Sequence, residues 1–278
     1  MIRIIDSHCH IYPERIAMRA VESVETFYEH LPRQPWNGTA EELVRSGRDA
    51  GISHFVVFSV ATTPHQVSSI NRFIAEEVSR SGGCMTGLGA MHLDSDDQER
   101  DILEIEALGL KGVKLHPDIQ KFEADEPRAM EIYARCEGRL PICIHAGDRR
   151  YGYSNPDRME KIAKAFPRLQ LICAHMGGWS VWEEAAERLS KYPNVLVDCS
   201  SSLYWLKPDV ARAIIRKYGS RRVLFGTDYP FWPQKPEIED LLKLGLKDDE
   251  YEDIFWRNAA DVYQLTFDDH ATGGTTDA

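Results

Sequence analysis

The chain has 278 residues, 43% of them hydrophobic and 28% charged, enough apolar content to bury a core and too much for a disordered chain. Its richest apolar stretch, Phe55 to Ala61, falls far short of the roughly 20 residues of a membrane span. With 44 acidic against 33 basic residues and a net charge of −11, the protein repels a phosphate backbone, so neither nucleic acid nor membrane is an expected partner.

Met1-Ile-Arg-Ile-Ile-Asp6 lacks the charged and then apolar regions of a secretory leader. Cys9, Cys84, Cys136, Cys143, Cys173 and Cys199 show no Cys-x-x-Cys spacing and mostly lie in apolar runs. Reduced core thiols in a cytoplasmic protein are expected. Eight short apolar runs, bounded by Gly, Pro or polar residues, are predicted as strands: 2–6, 52–60, 84–92, 111–116, 141–145, 169–175, 194–200 and 222–228. Amphipathic stretches lie between them. Thr39-Ala-Glu-Glu42, Ser95-Asp-Asp-Gln98 and Ser180-Val-Trp-Glu183 have capping-box spacing for helix starts. From Pro208, Val210, Ile214 and Tyr218 form one stripe, with Gly219 as the C-cap. A last helix is predicted over about 248–263, and the tail from 266 to 278 reads as frayed.

Predicted strand ends recur roughly every 30 residues, the length of a β-α unit, with one longer gap after the first. Eight such units in about 250 residues describe a (β/α)8 TIM barrel, here a single α/β domain over 1–265. The long gap is a helical insertion, about 12–37, containing the turn Leu31-Pro-Arg-Gln-Pro35. A doubly wound open sheet is the alternative, but no Gly-x-Gly-x-x-Gly follows the first strand.

The histidines gather at the predicted strand ends: His8 and His10, then His92, His116, His145 and His175, with Asp228 closing the eighth run. Parallel barrel strands bring such ends to one face. His8-Cys9-His10 has the strand period, so both imidazoles face one side, about 6.6 Å apart at Cα. With His145 and Asp228 they supply three nitrogens and one carboxylate oxygen, a set that suits Zn²⁺ with a position left open for water. Asp228 can accept that water's proton, and His175 can share the proton traffic or stabilise an oxyanion.

Asp6-Ser-His-Cys-His10, Gly112-Val-Lys-Leu-His-Pro117, Ile144-His-Ala-Gly147, Ala174-His-Met-Gly-Gly178 and Leu224-Phe-Gly-Thr-Asp-Tyr-Pro230 occur in order at barrel spacing. Together they resemble the amidohydrolase superfamily, in its amidohydrolase-related branch. That branch includes aminocarboxymuconate-semialdehyde decarboxylase, γ-resorcylate decarboxylase and many metal-dependent hydrolases. The resemblance implies that His8, His10, His145 and Asp228 hold a metal and that His175 is a general base or orients water. The ligand types favour zinc over manganese, iron or cobalt, and the resemblance implies one ion rather than two. Lys114 corresponds either to the carboxylated lysine that bridges two ions in binuclear relatives or to an ammonium aimed at a substrate carboxylate.

Asp148-Arg-Arg-Tyr-Gly-Tyr153, Trp179, Tyr204-Trp205 and Tyr229-Pro-Phe-Trp232 place aromatics in the loops around the site, which suits a ring-bearing substrate. Lys114, His116 and Arg150, with Trp205 beside them, are the candidates for binding a small anionic substrate. The competing reading of Arg150 is an ion pair with Asp148. His92 reads as a hydrogen-bonded or core histidine, and His30, His54, His65 and His270 as residues without chemistry. A metal-dependent hydrolase of an amide, lactone or related bond is expected. The alternatives are a nonoxidative decarboxylase and a barrel that only binds. A homodimer is compatible with the sequence, which marks no interface.

Overall fold

Period-two alternation sorts the strand side chains between two layers. In the second strand, Phe55 and Val57 pack outward among the helices, while Val56 and Phe58 join Ile5, Leu88, Cys143, Ile172, Leu196 and Leu224 in the barrel interior. Strands buried on both faces read as continuous apolar runs, as these do. The computed structural model describes residues 2–29 and 36–267. The predicted turn at Leu31 to Pro35, His30, His270 and the tail from 268 lie outside the described residues.

The strands are β1 (Ile5–His10), β2 (His54–Phe58), β3 (Met85–Gly87), β4 (Gly89–Ala90), β5 (Val113–Leu115), β6 (Ile142–Ile144), β7 (Leu171–Cys173), β8 (Val195–Asp198) and β9 (Val223–Leu224). All neighbouring pairs are parallel. β3 and β4 are one barrel stave interrupted at Leu88, whose N–H donates to Val57 O, while Gly89 N–H donates to Gly112 O. Closure comes from the ends of the chain. Ser7 N–H donates to Phe225 O at 2.9 Å and Asp228 N–H to His8 O at 2.9 Å, joining the last strand to the first. The result is an eight-stave TIM barrel, as the spacing predicts.

The predicted strands run longer than the observed ones because their last residues bend out of the ladder into the loops. Thr39 caps the helix Ala40–Asp49 by accepting from Glu42 N–H. The other two predicted caps fall elsewhere. Ser95 donates to Asp101, leaving Asp97 to cap Gln98–Ala107. Ser180 sits at φ 66° and accepts from Arg149 N–H, so Trp182–Leu189 starts without a side-chain cap. Pro208–Tyr218 ends at Gly219, φ 82°, as expected. The last helical run contains a π-helical turn, Asp253–Arg257, whose Ile254 carbonyl accepts from Phe225 N–H at 2.8 Å and ties it to β9. No helix among the described residues is long and apolar enough to cross a membrane.

His54, in β2, pairs with Thr86 Oγ1 at 2.9 Å, and burial pushes its pKa from 6.5 down to about 4. Between those values the unfolded chain binds more protons than the folded one, so stability falls as pH drops from 6.5 towards 4. The full shift is worth roughly 3 kcal/mol. His54→Gln is expected to make that slope shallower, read as denaturant midpoints at pH 7 and pH 4.5; an unchanged slope would place the acid sensitivity in the other buried histidines.

Candidate metal centre

The centre's histidines stand at or just beyond the C-terminal ends of β1, β5, β6 and β7, and the backbone is bent at two of its residues. His175 and Asp228 adopt φ 60° and 65°, a region costly for residues with a Cβ. Their N–H groups pay for that bend in part: His175 N donates to Asp198 Oδ1, and Asp228 N to His8 O.

The side chains converge. Asp228 Oδ1 lies 3.4 Å from His8 Nε2 and 3.3 Å from His10 Nε2. His175 Nε2 lies 3.0 Å from His145 Nδ1, and the His8 and His175 ring centroids are 5.0 Å apart. Lys114 Nζ is 3.2 Å from His8 Nε2. His116 stacks on His145 at 4.0 Å. Among the described residues three groups have ligand atoms close enough to share an ion: His8, His10 and Asp228; His8, His175 and Asp198; and His116, Asp118 and His145. The predicted quartet is thus split: His8, His10 and Asp228 form one group, while His145 reaches them across His175.

The partners of the outer nitrogens fix the tautomers. His8 Nδ1 faces the Asp198 carboxylate at 2.9 Å, His145 Nε2 faces Gly147 O at 2.9 Å, and His175 Nδ1 faces Ser200 O at 3.1 Å. Each of these acceptors requires the proton on that nitrogen. His8 Nε2, His145 Nδ1 and His175 Nε2 therefore turn lone pairs inward. Burial holds His8 and His145 neutral, lowering His8 to about 4 and His145 well below the usual value. His10 is lowered by burial too, against the pull of Asp228, and its Nδ1 is buried without a partner. Burial opposes charge on Asp228, but the His10 hydrogen bond and the neighbouring imidazoles hold it well below the carboxylate range. Two facing lone pairs 3.0 Å apart repel unless a cation lies beside them. Neutral imidazoles with an ionised carboxylate are the donor set that a divalent transition ion takes.

Two functional residues escaped the sequence reading. Asp198 holds His8, His175 N–H and Ser200 together; its signal was a carboxylate at the end of the apolar run Val195–Asp198. Tyr28 had no signal. It follows helix Glu14–Phe27 of the insertion, and its hydroxyl contacts His116 Nε2 at 3.0 Å and His145 Nδ1 at 3.5 Å. His116 Nδ1 accepts from Ile119 N–H, so His116 donates to Tyr28, which in turn donates towards His145.

Lys114 and His116 line the cavity over the centre, about 760 Å³ in volume. Arg150 and Trp205 are not among its lining residues. The Arg150 guanidinium is taken by Asp148, at 3.0 and 2.7 Å, and donates to Phe27 O at 2.9 Å, among the rings of Phe27, Tyr28, Tyr151 and Trp179. Trp205, 45% exposed, packs on Tyr204 and Trp232. His92 accepts from Asp94 N–H and, among the described residues, belongs to none of the three groups.

Barrel and site together define a histidine-rich centre at the C-terminal mouth of a TIM barrel. The sequence matches the amidohydrolase family over residues 5–265, and the chain belongs to that family. Among solved structures it is similar to an uncharacterised TIM-barrel protein from Bordetella bronchiseptica, at 22% identity over 94% of this chain and 98% of that one, TM-score 0.78. A dihydroxybenzoic acid decarboxylase from Polaromonas sp. JS666, with bound manganese and the inhibitor 2-nitroresorcinol, is 15% identical over 95% and 98%, TM-score 0.71. An amidohydrolase from Burkholderia multivorans with bound zinc is 15% identical over 95% and 100%, TM-score 0.73. Curated protein sequences give no match.

Proposed function

We propose that this amidohydrolase-family member is a metal-dependent hydrolase of an amide, lactone or related bond in a small, carboxylate-bearing substrate. The observation that carries the reading is the set of inward lone pairs on neutral imidazoles beside an ionised Asp228. His8, His10, His145 and Asp228 are the proposed ligands, zinc the proposed ion, and one ion the proposed number. Held by these residues, a divalent ion would supply Lewis acidity and a bound water with its pKa lowered from about 15.7 to about 7.

The chain's own groups then divide the work. Asp228, its second oxygen held by Ser201, accepts a proton at Oδ1 and returns it to the leaving group. His175 offers Nε2, its ring fixed through Nδ1 by Ser200. Burial keeps Tyr28 protonated at every working pH, so its hydroxyl donates to a substrate oxygen. Lys114 and His116 meet the carboxylate, whereas Arg150 acts at one remove by holding Phe27 and hence Tyr28.

A decarboxylase reading has equal support from family membership, since the Polaromonas relative removes a carboxylate on the same fold. Elemental analysis of protein purified without a metal-affinity step is expected to give one equivalent of a divalent transition metal. The loaded protein is then offered lactones, amides and aromatic acids, with CO₂ followed in parallel. CO₂ release installs the second reading; absence of metal, with none taken up on addition, sinks both.

A further inference from the structure

The cavity has two unlike ends. At its floor stand His8, His10, His175 and Asp228, and the wall above is mostly apolar, interrupted by Arg15, Ser23, Thr26, Thr62, Gln66 and Ser69. Helix Glu14–Phe27 already buries Ala17 and Val21 against the molecule. It nevertheless carries a second apolar row, Ile16, Ala20, Val24 and Phe27, spaced for one helix face, and this row lines the cavity. Across the space stand Ile70 and Phe73 of helix Val67–Arg80. An outward helix face is ordinarily polar, yet Ile16 is 43% exposed, an apolar surface that a ligand's apolar part can remove from water. The volume, about 760 Å³, lies well inside the range of roughly 300–1,000 Å³ that takes drug-sized ligands. A single-ring acid seated at the floor leaves this upper wall bare.

Building on the metal-dependent reading above, we propose that the substrate carries an extended apolar group, an alkyl chain or a second ring. That group lies between Ile16, Ala20 and Val24 on one side and Ile70 and Phe73 on the other, while the reacting group reaches the His8–His10–Asp228 end. The selectivity of the enzyme is then set by hydrophobic length as well as by the reacting bond.

The test needs no turnover. Alkyl hydroxamates chelate a divalent ion through their heads, and their binding to the metal-loaded, full-length protein is followed by calorimetry from acetohydroxamate through butyrohydroxamate to octanohydroxamate. Benzohydroxamate and its 4-phenyl derivative form the aromatic arm. Each added methylene is expected to tighten Kd about three- to fourfold, the fold-change of roughly 0.8 kcal/mol per buried methylene. A steeper gain in one arm tells chain from ring. Ala20→Trp, which fills the space, and Ile70→Asp, which charges the opposite wall, are each expected to flatten the series; the second serves if the first fails to fold. Acetohydroxamate binding with no gain along either arm overturns the proposal and leaves the metal centre standing. Failure of every hydroxamate to bind the metal-supplemented protein overturns the metal reading, and this inference with it.

Discussion

Alanine in place of His10, or asparagine in place of Asp228, is expected to strip the centre of its ion while the barrel stays folded. Changes to groups that merely orient a ligand cost about 10- to 100-fold in metal affinity, so loss of the imidazole donor at His10, or of the anionic carboxylate at Asp228, should exceed about 100-fold and take turnover below detection. Both positions lie at the C-terminal mouth, His10 as the last residue of β1 and Asp228 beyond β9. Asparagine is preferred at 228 because it tolerates the φ of 65° there. Metal content by elemental analysis, read beside thermal melts, checks the result. Wild-type stoichiometry in either variant would falsify the ligand assignment.

The largest stability effect is expected from Gly147→Ala. A Cβ at this position meets Gly178 Cα at 2.6 Å, Gly178 C at 2.7 Å and Trp179 N at 2.8 Å, all backbone atoms, and the residue sits at φ 74°. Neither neighbour can swing away as a side chain can. Overpacking and the left-handed conformation together should cost roughly 3–5 kcal/mol. The same loop carries the carbonyl that accepts from His145 Nε2, so metal affinity should fall with stability. Denaturant unfolding of the metal-free protein separates the two effects. A midpoint equal to wild type means the 146–148 and 178–179 loops shift apart without cost.

The barrel was legible because its signal is repeated: each apolar run ends close to a polar residue, and period two alone put His8 and His10 on one side. What the sequence could not carry was contact between distant loops. Asp148 and Arg150 pair two residues apart, the bland alternative already in view, yet the guanidinium's second partner is Phe27, 123 positions away. Ser95 and Ser180 had capping-box spacing, but Asp101 within the helix claimed the first hydroxyl and Arg149 of a distant loop the second. Tyr28 enters the site only because the insertion helix lies across the mouth, a placement that no local pattern encodes. Asp198 is the opposite case, visible in the chain as a lone carboxylate closing an apolar strand.

That insertion helix separates two tasks along the polypeptide. The proposed metal ligands stand on staves hydrogen-bonded to their neighbours, so almost any edit there should disturb the proposed centre. The wall of Ile16, Ala20 and Val24 belongs to helix Glu14–Phe27, which pairs with no strand. Exchanging Ile16 or Ala20 can therefore redraw which molecules fit while the donors stay where they are. A lineage, or an engineer, can retune this scaffold by rewriting a few turns of helix.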